Sequence, residues 1–257
     1  MRVQLLLAAV ALVTFGWPSP AQSQDALSSV EQKIVTAWNG VESAMGDVTL
    51  DMPIPIGDVV CPARGKGRLL YSGEKGYGKL RLNLTGGLEP PGGNATIAMP
   101  VTADGVFDGA VAHILTSILL QPVVLKYDAS EDLDPKLTPA EALFALLHEE
   151  CDLELLPEAR VGGLSTYVIG ARIKKPATEG PVQPARVVLF FAKDSGMPCR
   201  VILEDRDGRP LGSAQCTNVK LNGRIDPSRF NFAAPANVPV TDLNKGELPP
   251  ILEQLTQ

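Results

Sequence analysis

The chain has 257 residues, of which 45% are hydrophobic, enough to bury a sizeable core in one large all-β domain or two small ones. Its net charge is −6 and no basic patch stands out, which argues against nucleic acid as a partner, because phosphate binding needs clustered Lys and Arg. Aromatic residues are only 5%, so the apolar surface is aliphatic, built from Leu, Val, Ile and Ala.

Residues 1–23 read as a secretory signal peptide. Arg2 supplies the positive start, Leu5 to Val13 is unbroken apolar sequence, and Pro18 and Pro20 end that run. Ala21-Gln22-Ser23 offers small residues for cleavage after Ser23. The apolar run falls short of the ~20 residues a membrane span needs. The first cysteine, Cys61, is far from the cut, so no lipid anchor is expected. These features predict a soluble protein of the periplasm, with residues 24–245 as the folded domain and 246–257 as a C-terminal tail.

Leu27, Val30, Ile34, Trp38, Val41 and Met45 recur at three- and four-residue spacing and predict an amphipathic helix from Asp25 to Met45, stopped by Gly46. Asp47 to Val60 reads as extended, and its prolines suggest an edge or broken strand. Gly67 to Tyr71 and Lys79 to Leu84 flank a Gly-containing hairpin turn, and Leu80, Leu82 and Leu84 alternate with polar residues as in a half-buried strand. Gly86 to Gly93 reads as a loop. Ala95, Ile97, Met99 and Val101 alternate again, followed by a turn at Thr102 to Gly105. Val111 to Val124 is apolar and fits a short helix followed by a strand.

Thr138-Pro139-Ala140-Glu141 is a helix start, with Thr138 as the cap and Pro139 at the first helical position. That helix runs to about Cys151, with Leu143, Phe144, Leu146 and Leu147 apolar. Strands are then predicted at Ser165 to Ile173, Arg186 to Lys193, Pro198 to Glu204, Leu211 to Leu221 and Phe230 to Phe232. Lys174 to Pro184 is a long loop. Helices segregated from an antiparallel meander predict an α+β fold, with the helices packed on one face of a curved sheet.

Four cysteines in an exported chain suggest two disulfides, with three possible connectivities. A hairpin turn centred on Asp207-Gly208 places Cys199 directly opposite Cys216, within bridging reach. Cys61 and Cys151 are then paired by elimination. No CxxC motif or zinc spacing is present.

The tail carries a resemblance. Asn222-Gly223-Arg224-Ile225-Asp226-Pro227-Ser228-Arg229-Phe230-Asn231-Phe232, followed by Pro235 and Val238, resembles the C-terminal signature of the LolA family of periplasmic outer-membrane lipoprotein carriers. Val101 to Phe107, Leu137-Thr138-Pro139 and Gly162 to Ile169 look like three further segments of that family, in the same order. The resemblance spans most of residues 25–243. It implies a strongly curved antiparallel sheet, an unclosed β-barrel, with helices packed in its concave mouth and an apolar cavity that receives acyl chains. On that resemblance, Trp38, Leu80, Leu82, Leu84, Ile97, Met99, Phe144, Leu147, Val168 or Ile169, Val188 and Phe190 are the candidate lining. The sequence departs from the family at Lys75-Gly76-Tyr77-Gly78-Lys79, where carriers place aromatics, and it has no clear counterpart of the arginine that helps close the family's lid.

Catalytic motifs are absent. The chain has two histidines and no GxSxG elbow, HExxH, P-loop or dinucleotide fingerprint. His148-Glu149-Glu150-Cys151-Asp152 is a cluster of consecutive residues, which splay around a helix and cannot converge on a metal. His113 in an apolar run reads as a packed core residue. The sequence therefore predicts no enzyme, cofactor or metal. It predicts a carrier whose partners are the acyl chains of lipoproteins or lipids, with a membrane-embedded donor or acceptor. The alternative is a non-carrying envelope sensor, regulator or interaction module on the same fold.

Overall fold

The structure is a computed structural model that describes residues 24–56, 59–73, 78–89, 99–118, 121–130, 134, 136–176, 180 and 182–245. Residues 1–23, read above as a signal peptide, Ile97 and residues 246–257 lie outside the described residues. Two α-helices and twelve strands are present among them. In chain order they are α1 (Gln24–Asn39), β1 (Ser43–Ile56), β2 (Val59–Ser72), β3 (Lys79–Leu88), β4 (Met99–Phe107), β5 (Val111–Ile118), β6 (Gln121–Asp128) and α2 (Pro139–Glu150). There follow β7 (Cys151–Val161), β8 (Leu164–Ile173), β9 (Arg186–Ala192), β10 (Pro198–Glu204), β11 (Pro210–Leu221) and β12 (Val240–Asp242). The strands make one sheet in the order β12-β6-β5-β4-β3-β2-β1-β11-β10-β9-β8-β7, which does not close on itself. Pairing is mostly antiparallel, as the sequence predicts, and β12 joins β6 in parallel. No helix among the described residues is long and apolar enough to cross a membrane.

The residues cluster into two compact units. Among the described residues, one unit spans 24–41, 50–53 and 140–217. Its α1 buries Leu27, Val30, Ile34 and Trp38 along one stripe, the spacing the sequence shows. The helix stops at Asn39, not at Gly46. Gly40 N–H bonds back to Ala37 O (3.2 Å) and Val41 N–H to Trp38 O (2.9 Å), which tightens and ends the last turn. Val41 and Met45 continue the apolar spacing, but Met45 already belongs to β1, where alternation serves equally well.

In α2, Ala140, Phe144 and Leu147 are buried, and Phe144 stacks on Phe191 with ring centroids 5.6 Å apart. The sheet face beneath carries Ile169 and Ala171 on β8, Leu189 and Phe191 on β9, and Val201 and Leu203 on β10, all buried. Each buried Val, Leu, Ile or Phe among them contributes about 1.5–3 kcal/mol of transfer free energy. The strand β7 follows α2 without a loop and was not anticipated. Gly196, between β9 and β10, has φ +66°, and a Cβ there would lie 2.2 Å from Ile34 O, so the turn presses directly on the α1 backbone. Pro53 of β1 sits where β11 has Gly212, whose missing side chain leaves room for the ring (2.9 Å from an added Cβ to Pro53 Cδ). That gap lets β1 lie in the sheet interior, between β2 and β11, and not at an edge.

Among the described residues, the second unit spans 42–49, 54–139 and 218–245. It is built on β2 to β6, with β12 on the outside of β6. Gly86 and Gly87, expected in a loop, lie inside β3, opposite Gly65 and Arg64 of β2. Thr102 to Gly105 is not a turn: β4 runs straight through it, and Asp104 is held on the sheet by Arg81 and Asn83. Val111 to Val124 forms β5 and the start of β6, with no helix. Phe230 to Phe232 is not a strand. Asp226 accepts from Ser228 N–H (2.9 Å), and Pro227 opens a single 3-10 turn ending at Phe230. Asn222, in the left-handed region at φ 55°, accepts from Glu42 N–H (2.9 Å) and ties the chain after β11 to the start of β1.

Candidate functional site

The second unit's sheet has two unlike faces. On β3, Arg81, Asn83 and Thr85 point one way and Leu80, Leu82 and Leu84 the other, following strand alternation. The polar face carries a compact charge cluster. Arg81 grips Asp104 through Nε–Oδ1 (3.0 Å) and Nη2–Oδ2 (2.6 Å), and Asn83 Nδ2 adds a third donor at 2.6 Å. Arg81 Nη1 also donates to Arg229 O at 2.8 Å. Phe230 is buried, and Phe232 stacks on His113 at 4.8 Å with the rings nearly parallel. The family-like tail therefore docks on this face, and His113 is half-buried against it, short of the core position the sequence suggests.

The opposite face is apolar across five strands. Its first row is Tyr71, Leu80, Phe107, Ala112 and Tyr127, and its middle row is Leu69, Leu82, Gly105, Ile114 and Leu125. The third is Gly67, Leu84, Ala103, Thr116 and Val123. Leu69, Leu82, Leu84, Phe107, Ile114 and Leu125 are only half-buried, and Leu80 is exposed (37%). Gly105 leaves a dent near the centre: the nearest atoms to an added Cβ are 3.9 Å away, on Ile114 and on the Leu82 carbonyl. This surface has no directional hydrogen-bonding group except the Thr116 hydroxyl, which donates to Thr102 O (2.9 Å), and the two tyrosines at its edge. It suits an alkyl chain, which needs area and no polar partners.

The predicted lining residues divide among several places. Leu80, Leu82 and Leu84 share this face as expected. Met99 begins β4, and Ile97 lies outside the described residues. Trp38, Phe144, Leu147 and Ile169 are packed core of the other unit. Val168, Val188 and Phe190 stand on the sheet face opposite the one Phe144 covers, because Val168 pairs with Phe190 while Ile169 pairs with Leu189. Leu69, Phe107, Ile114 and Leu125 were missed. Their alternation was legible, but reading Thr102 to Gly105 as a turn hid the continuity of β4.

The cysteines are four buried thiols, with neither expected bridge formed. Burial pushes the Cys151 and Cys199 thiols up to about 11. His148 Nε2 lies 3.1 Å from Glu31 Oε2, which joins α2 to α1. No group of three or more His, Cys, Asp or Glu among the described residues is placed to hold a metal. In the first unit an open cavity of about 700 Å³ is lined by Arg172, Ile173, Pro176, Ala185, Arg186 and the segment 204–208. Its lining mixes charged side chains with Ile173, Pro176 and Ala185, and Glu204 is wholly buried.

No family model matches the sequence, and no curated protein matches it. Solved structures are similar to it in fold. MucB of the Pseudomonas aeruginosa MucA/MucB complex is 16% identical, over 81% of this chain and 61% of that one, with a TM-score of 0.46. LprF from Mycobacterium bovis is 13% identical over 80% and 97%, with a TM-score of 0.41. A putative outer membrane lipoprotein-sorting protein domain from Vibrio parahaemolyticus is 10% identical over 79% and 95%, with a TM-score of 0.34. The chain spans less than two thirds of the MucB chain's length.

Proposed function

We propose that this chain is an exported carrier that holds the acyl chains of lipids or lipoproteins on the apolar face of β2 to β6. The observation that carries this reading is the row of Leu69, Leu82, Ile114 and Leu125, aligned in register and half-buried, around the dent at Gly105. An acyl chain of ~15 methylenes loses roughly 12 kcal/mol of favourable burial when moved into water, at ~0.8 kcal/mol per methylene. A shuttle must return most of that through an apolar lining, yet release the load to a membrane-embedded acceptor. Aliphatic side chains do so without bonds that would have to be broken. Export by residues 1–23 to the periplasm, and binding in place of catalysis, belong to the same proposal.

The test is to purify the protein from a bacterial envelope and analyse organic extracts by mass spectrometry, then titrate delipidated protein with a fluorescent fatty acid. Co-purifying amphiphiles and saturable uptake are the expected result. Clean protein that takes up no probe overturns the carrier and favours a docking module on the same fold.

A further inference from the structure

The first unit holds three of the four cysteines, and its strand order decides which of them can meet. Cys151 starts β7 and Cys199 lies on β10, with β8 and β9 between them. Three inter-strand spacings put these strands roughly 14 Å apart, beyond the reach of a disulfide. Cys216 is one strand further on, in β11. Cys199 and Cys216 are placed quite differently. The β10–β11 ladder ends on Arg200 opposite Gln215. β10 is irregular between Pro198 and Arg200 on its β9 side, and extending the β10–β11 register by one residue sets Cys199 opposite Cys216, in line with the burial alternation of both strands. Both lie on the buried side with Val201 and Ala214. Directly opposed residues in an antiparallel pair have Cα atoms about 4.5–5.5 Å apart, inside the span a disulfide tolerates. The structure shows both as thiols, with Cys199 Sγ only 3.5 Å from Phe190 O.

We infer that Cys199 and Cys216 are a site of covalent cross-linking, oxidised to a cross-strand disulfide when the chain folds in a compartment that supplies a disulfide donor. Two thiols lose two protons and two electrons. One S–S bond forms between β10 and β11, and the donor's disulfide is reduced to two thiols. Timing follows from burial. The two side chains are 3% and 7% exposed, and burial holds the Cys199 thiol at about 11, so little thiolate exists in the folded protein. The bond must form while the hairpin is still open, and a folded, reduced molecule resists later oxidation. This inference is independent of what the apolar face binds.

The full chain is produced twice, once exported to a bacterial periplasm behind a secretory leader and once in a reducing cytosol. Each product is alkylated under denaturing conditions before and after reduction and mapped by peptide mass spectrometry. Exported protein is expected to yield a peptide pair joined through Cys199 and Cys216, absent from the cytosolic product. Folded cytosolic protein exposed to oxidised glutathione is expected to stay unbridged for far longer than the same protein refolded in its presence. Closing a loop of about 18 residues is expected to raise the exported protein's Tm by roughly 6–12 °C over Cys199→Ser/Cys216→Ser. Exported protein in which both cysteines alkylate freely without reduction, or in which either is joined to Cys61 or Cys151, overturns the inference.

Discussion

Replacing Arg186 with methionine removes the single positive charge that two carboxylates share inside the first unit. Arg186 and Glu204 are direct cross-strand partners on β9 and β10. Arg186 Nη1 lies 3.2 Å from Glu204 Oε2, and Nη2 lies 2.8 Å from Glu154 Oε1 on β7. Gly170 of β8 makes room for the guanidinium, since a Cβ there would sit 2.7 Å from Nη2. The Glu204 side chain is 0% exposed, and its Oε1 has no partner. Burial pushes its carboxyl above the usual range, and the Arg186 guanidinium pulls it part of the way back. Methionine keeps the apolar stem and deletes the charge, so Glu204 must stay ionised unpaired or take up a proton. Protonating a carboxyl of ordinary pKa near 4.3 at pH 7 costs about 3.7 kcal/mol. Losing one partner of a buried pair costs about 3–5 kcal/mol. Wild-type Glu204 is itself raised and already bears part of that cost, so Arg186→Met is expected to lose up to about 3–4 kcal/mol at neutral pH. In that variant the folded carboxyl titrates above the unfolded one, so the folded state holds an extra proton. The variant is closest to wild type below about pH 4.3 and falls away as pH rises through the folded-state value. Adding Glu204→Gln recovers most of the loss and flattens the pH dependence. Urea unfolding followed by far-UV circular dichroism at acid and neutral pH measures both. A variant within about 1 kcal/mol of wild type at neutral pH, or one that follows the wild-type pH profile, refutes the reasoning.

Leu82→Asp puts a charge in the middle row of the apolar face; it is expected to weaken fluorescent fatty-acid binding by roughly tenfold or more, while the half-exposed site keeps the circular dichroism spectrum unchanged. Phe230→Ala removes the buried anchor of the tail segment and is expected to cost about 3–5 kcal/mol in chemical unfolding, together with faster hydrogen exchange around Pro227 to Phe232. Gly196→Ala forces a Cβ against the Ile34 carbonyl in a left-handed conformation, so its Tm is expected to fall by several degrees by calorimetry, whereas Gly163→Ala, also left-handed but facing open space, falls less.

Much of the local structure was legible in the chain. The α1 stripe, the Pro139 helix start, and the β2–β3 and β10–β11 hairpins with their register all follow from short-range patterns. The Leu80, Leu82 and Leu84 face was legible for the same reason, since alternation alone puts all three on one side. The misreadings share a cause. Asp104-Gly105 has turn composition, yet Arg81 and Asn83 on the neighbouring strand stabilise that carboxylate in an extended conformation. Pro53 looks like an edge signal, yet a glycine on β11 accommodates it in the interior.

By itself the sequence determined where the chain alternates and where it turns, because side-chain period and turn chemistry act over a few residues. It also determined the α+β class and the aliphatic character of the surface. Only the tertiary structure decided that Val188 and Phe190 lie opposite the helix-covered face, that Glu204 is buried under a shared arginine, and that Leu82 and Ile114 flank a dent with the tail docked on the far side. Each of these depends on strand neighbours distant in the chain, and a one-residue change of register would reverse which side chains face one another.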